Sequence, residues 1–497
     1  MNKRGFTLVE LIGTIVILLV LSLLVFPNLL NLIKNSKKDI STSTKDFIYG
    51  QAKSYIYDNV NGYTLKEGNI YCIGLKDLVS KNYLNTPLKD AESGNDIDLS
   101  KQIEVKVNNN DYSYELVETC TPKSYYTDNS GANTPKLFNN MVPIKYENNK
   151  WLVADLYSKW YDYNSKQWAN AIVLNSGVTK NVGDEVTEEE ISLWYVWLPR
   201  YKYTIFNGNK GNVSEQLINI TFENGVDKTG TLRCNDNADG SETCTDNTYG
   251  SIVNGKSTYT HPAFKFGNTN LTGFWVGKFE VSGSTSTITV KPNVTSLRSQ
   301  TVSSFFTAIQ NVKTTYGINN ADSHMMKNME WGAVAYLKQS KYGLGTTDIA
   351  VNDNASYYTG GGTSDAYKTN VAQSTTGNIY GVYDMSGGAW EYVMGNYNDT
   401  ISSSGFSSMP DKKYYNKYTS STGKMGDATM ETLKTSGTYG GGDGWYSDFT
   451  KFPPTNGQWF YRSGGNSDAK YAGVFYFYSS GGQSIKTISS RAVLSAQ

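Results

Sequence analysis

Histidine is almost missing from this chain: His261 and His324 are the two in 497 residues, and they stand at no metal-ligand spacing. Cysteine is limited to Cys72, Cys120, Cys234 and Cys244, and none falls between Trp459 and Gln497. That stretch therefore offers no thiolate for soft-metal or redox chemistry. An excess of either charge is also missing, because Lys plus Arg equals Asp plus Glu at 45 each. No net field draws the chain to nucleic acid or to an anionic surface. There is no Gly-x-Ser-x-Gly nucleophile elbow, and no pair of carboxylates stands out as a glycosidase couple. Proline is modest at 11. What is abundant is glycine (47) and tyrosine (38), with much Asn, Ser and Thr, a composition suited to β-rich extracellular domains with long ordered loops. The length allows two to four domains. The expectation is a protein that is not an enzyme and that needs no cofactor, calcium excepted.

The most informative segment is Gly5-Phe-Thr-Leu-Val-Glu10, behind the basic head Met1-Asn-Lys-Arg4. It opens an apolar run through Ile33 in which Glu10 is the one charge. A charge within a membrane segment costs about 2.5–3.5 kcal/mol on insertion scales, so this carboxylate needs a partner. A secretory signal peptide would end at small residues after its apolar core, and no Ala-x-Ala pattern follows here. A plain anchor needs only ~20 apolar residues and remains open, but it calls for neither Gly5 before Phe6 nor Glu10. The segment resembles the N-terminus of type IV prepilins and pseudopilins. That resemblance implies cleavage after Gly5 by a prepilin peptidase, N-methylation of Phe6, and pairing of Glu10 with the terminal amine of a neighbouring pilin subunit. Pro27 can kink the helix, and in pilins similar prolines lie where the packed helix loosens. The chain is expected to be a single-pass protein of the cytoplasmic membrane before assembly, and afterwards part of a filament at the cell surface.

The fold class expected is α+β. Residues 1–5 are the leader and 6–60 a long pilin helix. In its second half Ile40, Thr44, Phe47, Ile48, Ala52, Tyr55 and Ile56 recur at three- and four-residue steps, with Asn61-Gly62 as the stop. Residues 61–120 read as a small antiparallel pilin sheet: a short helix over Leu75–Leu84, then strands over Ile103–Val107 and Tyr112–Val117. Polar residues 121–135 read as a linker. Residues 136–190 read as an aromatic-rich β module, with Trp151, Trp160, Tyr161, Tyr163 and Trp168 as core rings or as a sugar-stacking surface. Four exported cysteines point to disulfides, and the sequential pairing Cys72–Cys120 and Cys234–Cys244 keeps each within one domain.

Residues 191–497 carry blocks that resemble, in order, the formylglycine-generating-enzyme (sulfatase-modifying factor) type of C-type-lectin-like fold. They are Tyr195–Tyr201, Phe274–Val281, Asn328–Ala335, Gly377–Glu391 and Ser490–Leu494. Trp275, Trp331 and Trp390 are expected to fill the core, Gly381 and Gly387 to permit turns, and Glu391 and Arg491 to pair. Oxidases of that family bind copper through two cysteines near the C-terminus, and their absence here implies that this mechanism is absent too. Many relatives only bind ligands. Val474-Phe-Tyr-Phe-Tyr478 reads as a strand with Phe475 and Phe477 inward and Tyr476 and Tyr478 outward. With Trp459 and Tyr461 they form the expected recognition surface, or ordinary packing. Asn235, Asn237, Asp239 and Asp246 loosely follow an EF-hand spacing and are the calcium candidates, without the usual terminal glutamate. The function expected is a minor or tip pilin with a non-catalytic adhesin head for an unidentified glycan or protein. A major pilin or a pseudopilin is the alternative, and a surface enzyme on a pilin stalk comes third.

Overall fold

A computed structural model describes residues 40–59, 65, 68–108, 111–208, 213–232, 252–419, 423–434, 443–452 and 457–496, with the backbone of 235–236 and 242–243. The chain divides after Tyr125 into two compact units. Among the described residues no helix is long and apolar enough to cross a membrane. The apolar run, with Gly5, Phe6, Glu10 and Pro27, lies outside them, as does Asn61-Gly62.

In the first unit, helix α1 (Thr42–Asp58) buries Thr44, Ile48, Ala52 and Ile56, one residue per turn. Strand β1 (Ile70–Gly74), helix α2 (Leu75–Ser80) and strands β2 (Gln102–Asn108) and β3 (Asp111–Val117) follow. The sheet is antiparallel in the order β1-β2-β3. Ile103, Val105 and Val107 alternate into its buried face, and the first two join Ile48, Ala52, Ile73, Leu75 and Leu78 in one core. α2 stops before the expected Leu84 because Asn82 takes a left-handed φ of 63°. Phe47, expected on the inner face, is 53% exposed. The small sheet covers only a narrow strip of the helix, and Phe47 lies about 100° around from Ile48. Cys72 and Cys120 form a disulfide, Cα–Cα 5.7 Å, between residues 48 apart. Closing a loop of that length restricts the unfolded chain by about 4 kcal/mol in the chain-entropy account.

The expected linker is shared between the units. Lys123 bridges to Ile70 in the first, while Asn133 is buried in the second, donating to the carbonyls of Gly225 and Thr272. Its polar side chains serve as hydrogen-bond partners.

The second unit, called the head below, is built on two large sheets, with a three-stranded sheet of Ile220–Phe222, Tyr201–Thr204 and Thr258–Thr260 as well. Its strands are β4 (Met141–Glu147), β5 (Lys150–Val153), β6 (Asn170–Leu174), β7 (Glu185–Val186), β8 (Ile191–Pro199), β9 (Gly273–Gly277), β10 (Ala321–Met325), β11 (Trp390–Tyr397), β12 (Asn416–Tyr418), β13 (Trp459–Ser463), β14 (Gly473–Ser480), β15 (Ile488–Ser490) and β16 (Ala492–Ala496), besides shorter pairs. The larger sheet runs β10-β16-β9-β8-β6-β4-β5-β7, antiparallel throughout. The expected boundary at residue 190 falls inside this sheet, because β6 pairs with both β4 and β8. Residues 136–190 thus supply half of a shared sheet rather than a module of their own. Trp151, Trp160, Tyr161, Tyr163 and Trp168 are all buried in it.

β8 is buried at all nine positions, so it shows no alternation in sequence. Helix α3 (Asn328–Lys338) is likewise buried at every residue and therefore is not amphipathic. The smaller sheet runs β12-β11-β13-β14, with β15 also along β11. Its pairs are antiparallel except β11 with β12 and with β15. Gly387 takes a left-handed φ of 78°. Gly381 does not, and its small size serves another end: a Cβ there would fall 2.6 Å from Thr376 Oγ1.

Candidate ligand-binding cleft

β13 and β14 pair antiparallel with Tyr461 opposite Tyr478. Because side chains alternate, Phe460 and Phe477 face the core, 4.9 Å apart between ring centroids, and Phe475 packs 5.3 Å from Trp445. The other face carries Tyr461, Tyr476 and Tyr478, which line a cleft of about 480 Å³. Trp390 at the start of β11 and Phe449 complete its wall. Asp468 and Tyr471 reach it from the β13–β14 connection. Tyr471 is 44% exposed.

The rings stand at defined angles. Tyr478 is nearly perpendicular to Tyr461 (88°, 5.5 Å) and to Phe449 (85°, 5.5 Å). Tyr476 lies closer to parallel with the same two rings, at 27° and 33°. Trp390 tilts 41° from Tyr461 at 5.7 Å, and its indole N–H donates to Asp468 Oδ2 at 2.7 Å. The backbone N–H of Gly465 donates to the same oxygen at 2.8 Å. This fixes the carboxylate with Oδ1 left over. Among the described residues neither Oδ1 nor the hydroxyls of Tyr461, Tyr476 and Tyr478 have a protein hydrogen-bond partner. Burial raises the phenol pKa of Tyr461 and Tyr476, reinforced by neighbouring tyrosines and by Asp468. Both therefore remain neutral donors near pH 7. Lys451 and Lys470 lie over the outer rings, 6.0 Å from the Tyr478 centroid and 5.3 Å from that of Tyr471.

Trp459 is not part of the cleft. It is fully buried, donates from Nε1 to the Ile401 carbonyl at 3.0 Å, and packs 5.5 Å from Phe406. Although it shares a strand face with Tyr461, the 401–406 segment covers it. Trp390, expected in the core with Trp275 and Trp331, is instead half-buried at the cleft. Phe449, Asp468 and Tyr471 carry no signal in the sequence, since only the tertiary fold gathers them beside β14. Cys234, Cys244, Asn237, Asp239 and Asp246 lie outside the described residues. Asn235 is described in backbone only, pairing with Thr243 in a short hairpin. Among the described residues no group of three or more His, Cys, Asp or Glu side chains is placed to hold a metal. Gly250-Ser-Ile-Val-Asn-Gly-Lys-Ser257 spells the P-loop pattern. Here Ser257 leads into the strand Thr258–Thr260, so the helix N-terminus such a loop needs is replaced by a strand.

In the core of the head, segments far apart in the sequence converge. Trp275 stands opposite both Trp197 and Leu494 in register. Arg491 and Glu391, both fully buried, form a two-pronged ion pair, Nε to Oε2 at 2.9 Å and Nη2 to Oε1. The guanidinium also donates to the carbonyls of Gly277 (2.8 Å) and Tyr383 (3.0 Å). Two further buried carboxyls stand nearby. Burial and the charges of Asp384 and Glu391 drive Glu280 well above the usual carboxylate range. Burial also raises Asp384, while Arg491 opposes the rise.

The two histidines behave oppositely. Burial lowers His261 to about 3, against the raising effect of its bond to the Gly426 carbonyl. Burial would lower His324 as well, but Glu330 at 3.0 Å and Asp322 at 3.1 Å outweigh it and the net shift is upward. Lys327 lies 3.7 Å from Glu330, and Lys413 lies 3.8 Å from Asp322 Oδ2, the oxygen that also accepts from Tyr414, while Oδ1 faces His324. A histidine raised on folding stabilises fully below its unfolded pKa of about 6.5, and that stabilisation is lost as pH rises through the folded value. Both carboxylates are lowered against the effect of burial, chiefly by His324, so their contribution is lost only as pH falls through their folded values. Urea midpoints measured from about pH 5 to about pH 9 should therefore decline on the alkaline side, and His324→Gln should flatten that limb. Parallel profiles for the two proteins would show that His324 with Asp322 and Glu330 is not the source.

Residues 1–26 match the family model described as a prokaryotic N-terminal methylation motif. No curated protein matches the chain. The motif points to a type IV pilin or pseudopilin, consistent with assembly beside other pilins, processing by a prepilin peptidase and a surface filament.

Proposed function

We propose that this chain is a minor or tip subunit of a type IV filament whose head is a non-catalytic ligand-binding domain of the C-type-lectin-like, sulfatase-modifying-factor type. The aromatic cleft carries this reading. It gathers ring faces from β11, β13, β14 and the loops between them around one fixed carboxylate, and it leaves polar tips without protein partners among the described residues. Large, stiff amphipathic rings give much contact area for little lost entropy, which suits recognition. General acid–base chemistry would call for a matched proton donor and acceptor, whereas among the described lining residues Asp468 is the one carboxylic acid, beside the phenols of Tyr461 and Tyr476, which burial holds neutral. The fold assignment is supported by the meeting of Trp197, Trp275, Leu494, Glu391 and Arg491, drawn from separate family-like blocks.

The test is attachment by cells expressing the full chain with Tyr471→Ala and Tyr478→Ala together. Tyr471 is exposed and Tyr478 half-buried with two edge contacts, to Tyr461 and Phe449, so the double variant should still melt cooperatively, at a somewhat lower temperature. Attachment should fall to the level of a strain lacking residues 126–497, with subunit abundance in sheared filaments unchanged. Undiminished attachment would remove the cleft from adhesion.

A further inference from the structure

We infer that the occupant of the cleft is a neutral saccharide, an inference that rests on the cleft being the binding site of the head. A pyranose ring has two apolar C–H faces and a rim of hydroxyls, so it needs flat aromatic surface beside unpaired donors and acceptors. The cleft supplies both. Trp390 and the exposed Tyr471, one face of which lies under Lys470, offer ring surface, and among the described residues no aliphatic side chain lines the space. The hydroxyls of Tyr461, Tyr476 and Tyr478 can donate and accept, and Asp468 Oδ1 is a free acceptor held rigidly by the bonds its sister oxygen receives from Trp390 and Gly465. A volume of about 480 Å³ lies within the range of small-molecule sites, roughly 300–1,000 Å³.

Charge narrows the class. Among the described residues the lining holds one carboxylate, Asp468, while Lys451 and Lys470 stand at its outer rings, so the cleft carries both signs of charge and offers no single-sign field to a sulfated or sialylated sugar. A cationic ligand would seek the ring faces, but Lys451 and Lys470 already stand over the outer two, and a second cation there meets like charge. A protein partner of standard size buries about 800 Å² on each side, a broad face rather than a cleft of this size.

The experiment uses sheared filaments carrying the full chain. Binding is read by saturation-transfer NMR and by quenching of tryptophan fluorescence. The probes are neutral hexose and N-acetylhexosamine oligosaccharides, their sulfated and sialylated counterparts, and choline. Saturable binding of a neutral oligosaccharide is expected, with affinity lowered about tenfold in Tyr471→Ala, as for loss of one stacking ring. Asp468→Asn, which keeps an oxygen for Trp390, should weaken the same sugar by a smaller factor. Preference for anionic sugars or for choline overturns the inference. So does sugar binding that survives both substitutions unchanged. If the Tyr471/Tyr478 double variant abolishes attachment while no sugar binds, the saccharide is wrong and the cleft remains the adhesive site.

Discussion

Replacing Arg491 with methionine is expected to leave the head without a cooperative unfolding transition. Glu391 loses both of its charge-assisted bonds, and the carbonyls of Gly277 and Tyr383 lose their donor, all in a fully buried site. Breaking a buried pair by removing one partner costs about 3–5 kcal/mol. Two orphaned carbonyls add roughly 1–3 kcal/mol each. A typical domain holds about 5–15 kcal/mol in all, so the sum consumes most of it. Glu391→Gln should be milder, because the amide keeps an acceptor for Arg491 and relieves the crowding of acids around Asp384 and Glu280. Thermal melts followed by near-ultraviolet circular dichroism separate the cases. A cooperative melt of Arg491→Met close to that of the parent would show that the guanidinium is dispensable.

The second large effect lies at the other end of the chain. Gly5→Val should block cleavage, so that the protein starts at Met1, carries no methylated Phe6 and stays with the membranes. Glu10→Ala should be cleaved and methylated normally yet be absent from sheared filaments. Its carboxylate costs about 2.5–3.5 kcal/mol in the bilayer unless a neighbouring amine neutralises it, and without that pairing the apolar segment loses its register. Mass spectrometry of the N-terminus in both fractions reads the two steps separately. Filaments containing either variant at parental abundance would sink the assembly role given to these residues.

The two ends differ in how far they could be read from sequence. The methylation motif is local and contiguous, so six residues suffice to find it. The strands β2 and β3 were legible because one face of their sheet is buried and the other is not. β1 was not, being five residues with no clean alternation. Phe47 misled because periodicity shows which residues share a helix face but not how wide a strip the partner covers. In the head, continuous burial of β8 and α3 erases the periodic signal, and the shared sheet hides any boundary near residue 190. At the cleft, alternation along β14 separated Phe475 and Phe477 from Tyr476 and Tyr478. It could not say that Trp459 would be covered by residues 401–406, nor that Trp390, Phe449 and Asp468 would come to the same place.

The position of β16 bears on how the head is made. Ala492–Ala496 pairs with Gly273–Gly277 on one side and with Ala321–Met325 on the other, and so joins β10 to the remainder of the larger sheet. Those contacts span more than 150 residues, and β10 cannot join the rest of the sheet until residues 492–495 have left the ribosome. A nascent chain stalled between Met325 and Ala492 presents two unpaired inner edges, a template for aggregation. A chain that stops before Ala492 should therefore fail to join β10 to the rest of the larger sheet, whereas loss of Ala496 alone removes a single pair of that register.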